Sequence, residues 1–260
     1  MTDSPDAVHV RFIDPNTNRG YIFKDTMLLN QLTRDALEIA ESFDKALMSE
    51  FKVLSREYSL CSALVYIGRA RAAAENDAVR KECSTILINS LNSLAAALTL
   101  LRSGFTIQPG MIIRTCIEAL AVVLHVLQYP GEMDRFRSGK LKSTKAISTA
   151  GKILPVFGRL YGSFSKKFTH IGEFHWNINP VKQHDKGDTA LLLNLQFISS
   201  GIWLAYVTAE LMFIDCVESP RYWKEQKSTK QGHSAYSYEP DDEEVEWMEK
   251  FFNIGEVQLD

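Results

Sequence analysis

The chain has 260 residues, 45% of them hydrophobic and 23% charged, with a formal net charge of −3. That length suffices to bury roughly 70% of the unfolded surface in one large domain with attachments. The balance excludes disordered, collagen-like and coiled-coil extremes, and so small a net charge names no partner.

The opening MTDSPDAVHV carries Asp3 and Asp6 and no basic-then-apolar block, so no secretory signal is expected. Residues 8–23 alternate, turn through Asp14-Pro15-Asn16-Thr17-Asn18-Arg19-Gly20, and resume as Tyr21-Ile22-Phe23. This predicts a short hairpin or extended arm within residues 1–24, which must lie on something because an isolated hairpin is marginal. From Asp25 the spacing becomes helical: Leu28, Leu32, Ala36, Ile39, Phe43, Leu47 and Leu54 recur every three or four residues, with no Pro or Gly before Gly68. A long helix is expected, one that projects from the body.

A second helix is expected over Val79 to Ser103, with Ile86, Leu87, Leu91, Leu94, Leu98 and Leu101 as its core face. Its other side carries Thr85, Asn89, Asn92, Ser93 and Ala96. Buried amides need partners, so Asn89 or Asn92 is expected near Glu118 or Arg114 of the next helix. Gly104 and Pro109 bound a short connection to that helix, Gly110 to Tyr129, which is almost wholly apolar and stops at Pro130. Its polar residues are not scattered. At 100° per residue, Arg114, Glu118, Ala121, His125 and Gln128 fall within about 80° of arc. Three readings of that line stay open: an i,i+4 ion pair on the one wet edge, a cleft where guanidinium, carboxylate and imidazole converge, or a buried interhelical network.

From Arg135 to Gly172 there are nine basic residues and no acidic one. Pro155 splits this segment into two helices; Phe157, Leu160, Tyr161, Phe164 and Phe168 form an apolar face of the second, with Arg159, Ser163, Lys166 and His170 opposite. The charge suits phosphates, with Arg159, Lys166 and Lys167 as candidate nucleic-acid contacts. Self-pairing with the acidic C-terminus, a protein partner or a plain solvated face are the alternatives. His170, Glu173 and His175 are close enough to raise zinc, but the His-Glu-x-x-His helix spacing is absent, and packing of His175 and Trp176 is the competing account. No metal or cofactor is expected.

Asp188 caps a last long helix, Thr189 to Val217. Asn194, Gln196, Glu210 and Asp215 interrupt it, and each charge at membrane depth would cost about 2.5–3.5 kcal/mol, so a core helix is expected rather than a span. Its edge Asn194, Gly201, Thr208, Asp215 is small or polar every seven residues and suits close approach of another helix. Ser219-Pro220 ends the expected packed body, leaving a mobile acidic tail over 219–260 in which Val245, Met248 and Phe252 form one edge of a short helix. Cys61, Cys83, Cys116 and Cys216 form no Cys-x-x-Cys pair and read as small core residues of a reduced, cytoplasmic protein.

The expected fold is therefore all-α, an antiparallel helical bundle over 25–218 with an N-terminal arm and an acidic C-terminal tail. Nucleophile triads, Gly-rich phosphate loops, paired glycosidase carboxylates and dinucleotide fingerprints are all missing.

LLRSGFTIQPGMIIRTCIEALAVVLHVL followed by LYGSFSKKFTHIGEFHW resembles a group of bacterial helical proteins with a Ser-Gly turn, an Arg-x-x-x-Glu-Ala-Leu helix and a later Phe-x-His or Val-His helix end. That group is similar to the HEPN superfamily of helical bundles, some of which are metal-independent RNases of toxin–antitoxin and phage-defence systems. The resemblance covers Leu98 to Trp176 and implies a site of Arg114, Glu118 and His170, with His170 as general acid/base and Arg114 steadying phosphate charge. The superfamily's RNase signature, Arg followed after four to six residues by His, precedes none of the six histidines. Two functions follow as expectations: binding, with or without cleavage, of RNA or another phosphate-bearing ligand, and a non-catalytic interaction or dimerisation module.

Overall fold

A computed structural model describes residues 8–16, 18–169, 175, 180–226 and 235–246. Strands β1 (Val8–Asp14) and β2 (Arg19–Lys24) pair antiparallel, with Phe12 opposite Tyr21. Helix α1 (Met27–Asn30) passes through a π turn (Gln31–Asp35) into α2 (Ala36–Ala74), which kinks where Leu47 leaves helical geometry. Then follow α3 (Ala78–Arg102), α4 (Gln108–Gln128), α5 (Met133–Arg137), α6 (Ser143–Ile153), α7 (Val156–Phe164) with a further π turn (Ser165–Thr169), and α8 (Thr189–Met212). The protein is a mostly helical bundle, with two small hairpins among the described residues.

Helix α4 is the axle. It packs on α3, α6, α7 and α8, while α2 lies against α3 and α8. Its apolar surface is wide enough for four neighbours because Ala121 through Val126 are all buried. The core is filled by Phe43, Leu87, Leu94, Leu101, Ile113, Ile117, Leu120, Leu124, Phe157, Phe164 and Phe213. By length and composition α3, α4 and α8 could each cross a membrane; here they pack against one another. Charged staples fix the order: Arg102 on α3 holds Asp44 on α2 through two hydrogen bonds of 2.9 and 2.6 Å, and Arg80 holds Asp215 beyond α8.

Asp188 caps α8 as expected, accepting from the amides of Ala190 and Leu191. Gly201 lies so close to α3 that a methyl group there would meet Leu94. Cys61, Cys83 and Cys116 are buried, and burial pushes each thiol up to about 12, away from thiolate chemistry.

Two expectations are corrected. Asn89 and Asn92 face solvent, so they are not partners of Arg114 or Glu118. The packed body also extends past Ser219-Pro220: β3 (Trp223–Gln226) and β4 (Ala235–Tyr238) form a second hairpin on α8, with Tyr222 and Trp223 buried. Its anchor is Glu210, fully buried on α8, whose two carboxylate oxygens accept from the amides of Arg221 and Tyr222 at 2.8 Å each. The Trp223 indole donates to the Val207 carbonyl at 2.8 Å.

Candidate functional site

Arg114 and Glu118, one turn apart on α4, form a 3.1 Å ion pair, and both are half-buried. Their other partners come from across the helix interface. The Arg114 Nη2 donates to the Tyr161 hydroxyl on α7 at 2.9 Å, and its Nε donates to the Ser165 hydroxyl in the π turn at 3.0 Å. The guanidinium carbon also lies 5.0 Å from the Tyr161 ring centre. Of the three readings, an interhelical network fits best, and the π turn builds it by aiming Ser165 at α4 and Phe168 at Gly110. A guanidinium so held is a rigid donor with Nη1 left over among the described residues, suited to an anionic oxygen. His170 lies outside the described residues, so its convergence on Arg114 stays an expectation.

His125, on the same line, belongs to a different environment. It is fully buried under α6, its Nδ1 2.8 Å from the Thr149 hydroxyl and its Nε2 3.8 Å from Glu132. Glu132 in turn takes a 2.9 Å bond from Lys145 and a 3.5 Å contact from Arg135, which together hold its carboxyl below the usual range. Burial pushes the His125 imidazole below its ordinary 6.5, and Lys145 adds to the push while Glu132 opposes it. The folded protein thus favours neutral His125, whereas the unfolded chain takes up the proton near 6.5. This contribution to stability is full above 6.5 and is lost as pH falls below it. Lowering the pH from about 7.5 to about 5.5 should depress the thermal midpoint, and His125→Gln should shrink that depression; an unchanged pH slope in the variant would contradict the assignment.

The basic segment is partly neutralised from outside its own span. Arg137 pairs with Glu82 on α3 and with Asp134, while Arg135 and Lys145 share Glu132. Arg159 and Lys166 are exposed and Lys167 is half-buried. Of the acidic C-terminal stretch, Glu244 lies against α8, accepting from the Trp203 indole and, at 3.2 Å, from the Tyr238 hydroxyl. Of the His170, Glu173 and His175 group only His175 is described, and it is half-buried. Among the described residues no group of three or more His, Cys, Asp or Glu side chains converges.

A cavity of about 520 Å³, not expected from the sequence, lies between α2, α8, Arg221 and Tyr222 just ahead of β3, and Asp241, Glu243 and Glu244. Its walls include Glu50, Glu57, Trp203, Tyr206, Tyr222 and Glu244. Burial raises the Glu244 carboxyl and the Tyr222 and Tyr238 phenols above their ordinary ranges. A signal existed in Glu50, Val53, Leu54 and Glu57, which share a face of α2, and in Gln196, Ser199 and Trp203 on α8. What pairs those faces is tertiary.

No family model, curated protein or solved structure matches the chain.

Proposed function

We propose that the chain is a homodimerising interaction module. The observation that carries this is apolar surface left uncovered among the described residues. Phe12, Ile13, Tyr21, Ile22 and Phe23 of the arm are between 38% and 67% exposed, and every residue of β2 faces solvent. An isolated two-stranded hairpin of this kind is marginally stable at best in water. Met27, Leu28, Leu29 and Leu32 continue the same exposed surface into α1 and the π turn.

The occupant is argued from α2. Val53, Leu60 and Ile67 are exposed at seven-residue spacing, and the exposed Ala63 and Ala70 follow Leu60 and Ile67 by three. That is a coiled-coil seam about 25 Å long, and under a two-fold axis a seam is complementary to its own copy. Covering each large side chain would contribute about 1.5–3 kcal/mol, enough in sum for a stable pair with the arms laid across it. Leu60→Lys combined with Ile67→Lys should convert a dimer to a monomer with an unchanged helical spectrum, checked by light scattering and circular dichroism. A dimer unaffected by the pair would remove the seam, and vesicle-dependent association of a wild-type monomer would assign the arm to lipid instead.

A second reading, RNA or another phosphate-bearing ligand, is favoured by the exposure of Arg159 and Lys166 and by the docking of Glu244 on α8 rather than on the basic helices. It is the activity the HEPN resemblance implies, extending to a ribonuclease of a defence system if His170 meets Arg114. Generic RNA should then bind at low salt, more weakly as salt rises, and Arg159→Ala with Lys166→Ala should reduce the salt slope by about two. Binding that ignores both substitutions ends this reading.

A further inference from the structure

The cavity beside α8 has a charge and a wall chemistry that neither reading uses. Five carboxylates (Glu50, Glu57, Asp241, Glu243 and Glu244) face one guanidinium, that of Arg221. Between them stand aromatic walls: Trp203 lies edge-on to Tyr222 and Tyr238, and Tyr206 edge-on to Tyr222. Arg221 already shows what these walls attract. It pairs with Glu57 at 3.1 Å and sets its guanidinium carbon 5.1 Å from the Tyr222 ring centre, an ion pair and a cation–π contact made by the chain's own cation.

The other carboxylates are not matched in this way. Glu244 takes hydrogen bonds from two neutral donors, the Trp203 indole and the Tyr238 hydroxyl, and makes no ion pair among the described residues. Glu50 accepts from the Ser49 hydroxyl at 2.6 Å. An anionic ligand is excluded by the charge. A bare metal ion is a poor fit, because the carboxylates stand on separate walls rather than converging, and Glu50 and Glu57 are two turns apart on α2, about 10 Å. The volume lies within the range of small-molecule sites.

We infer that this cavity binds an organic polycation of the linear polyamine class, its ammonium groups meeting Glu50, Glu243 and Glu244 and its methylene segments lying against Trp203 and Tyr206. The separated carboxylates match charges strung along a chain, and the aromatic faces match what joins them. The inference does not depend on the dimer or on RNA.

The probe is spermidine, titrated calorimetrically into the full chain at constant ionic strength. Saturable binding of one molecule per chain is expected. Glu50→Gln with Glu243→Gln, two side chains whose loss leaves the packing intact, should weaken it by at least about fivefold. Trp203→Leu should weaken it by a similar factor, with thermal melts confirming that each variant is folded. The inference is overturned by absence of saturable heat, by equal affinity in the folded Glu50/Glu243 variant, or by magnesium or butylamine binding as tightly as spermidine.

Discussion

Replacing Glu210 by Leu should lower stability by about 3–5 kcal/mol, a fall of roughly 10 °C in the thermal midpoint of a chain this long. The carboxylate is fully buried on α8, and its two oxygens are the acceptors for the Arg221 and Tyr222 amides. Leucine fills the space but leaves the buried Tyr222 amide and the part-buried Arg221 amide without acceptors, and that desolvation dominates. Glu210→Gln retains one acceptor and should cost about half as much. Because Tyr222 and Arg221 form one wall of the cavity, the leucine variant should also open the β3–β4 hairpin, seen as early amide exchange over residues 222–226. A leucine variant as stable as the parent would mean that the hairpin is held by its aromatic contacts alone.

Gly110→Ala should destabilise by about 1–3 kcal/mol even though alanine is the better helix former. A methyl group at this position of α4 would overlap the ring of Phe168, which is itself held against Phe164 and Phe197. Relief requires moving the π turn, and with it Ser165, one of the groups that orient Arg114. Gly151 on α6 and Gly158 on α7 meet nothing within 4 Å, so alanine there should stabilise by about 0.5–1 kcal/mol. Opposite signs at chemically identical substitutions, read from denaturant midpoints, would locate the tight contact; a stabilised Gly110→Ala would refute it.

The large helices were legible because their punctuation is local. Pro109 and Pro130 bound α4, Asp188 caps α8, and a period of three to four identifies the faces of α2 and α3. Arg114 and Glu118 could be placed on one line of α4, since helical spacing alone does that. Their partners Tyr161 and Ser165 could not, because they arrive from α7 and the π turn after it, some fifty residues on, and a π turn leaves no mark in the apolar period. The same gap explains Asn89 and Asn92: a polar stripe opposite a core face looks alike whether it meets water or another helix, and here it meets water. His125 shares the polar line by angle, yet α6 covers it and not Arg114, and angle alone does not separate the two environments. The β3–β4 hairpin was hidden because its strands are short and largely polar and its main anchor, Glu210, lies on a different element. The cavity needs faces of α2, α8 and the C-terminal stretch to meet, which no single window of sequence contains.

A second copy of the chain is the occupant we propose for the exposed arm and the α2 seam. Sedimentation equilibrium of the full chain, at concentrations spanning about two decades, tests this most directly. A mass of twice 29.4 kDa across the upper part of that range is the predicted result. A single species of 29.4 kDa throughout would contradict it.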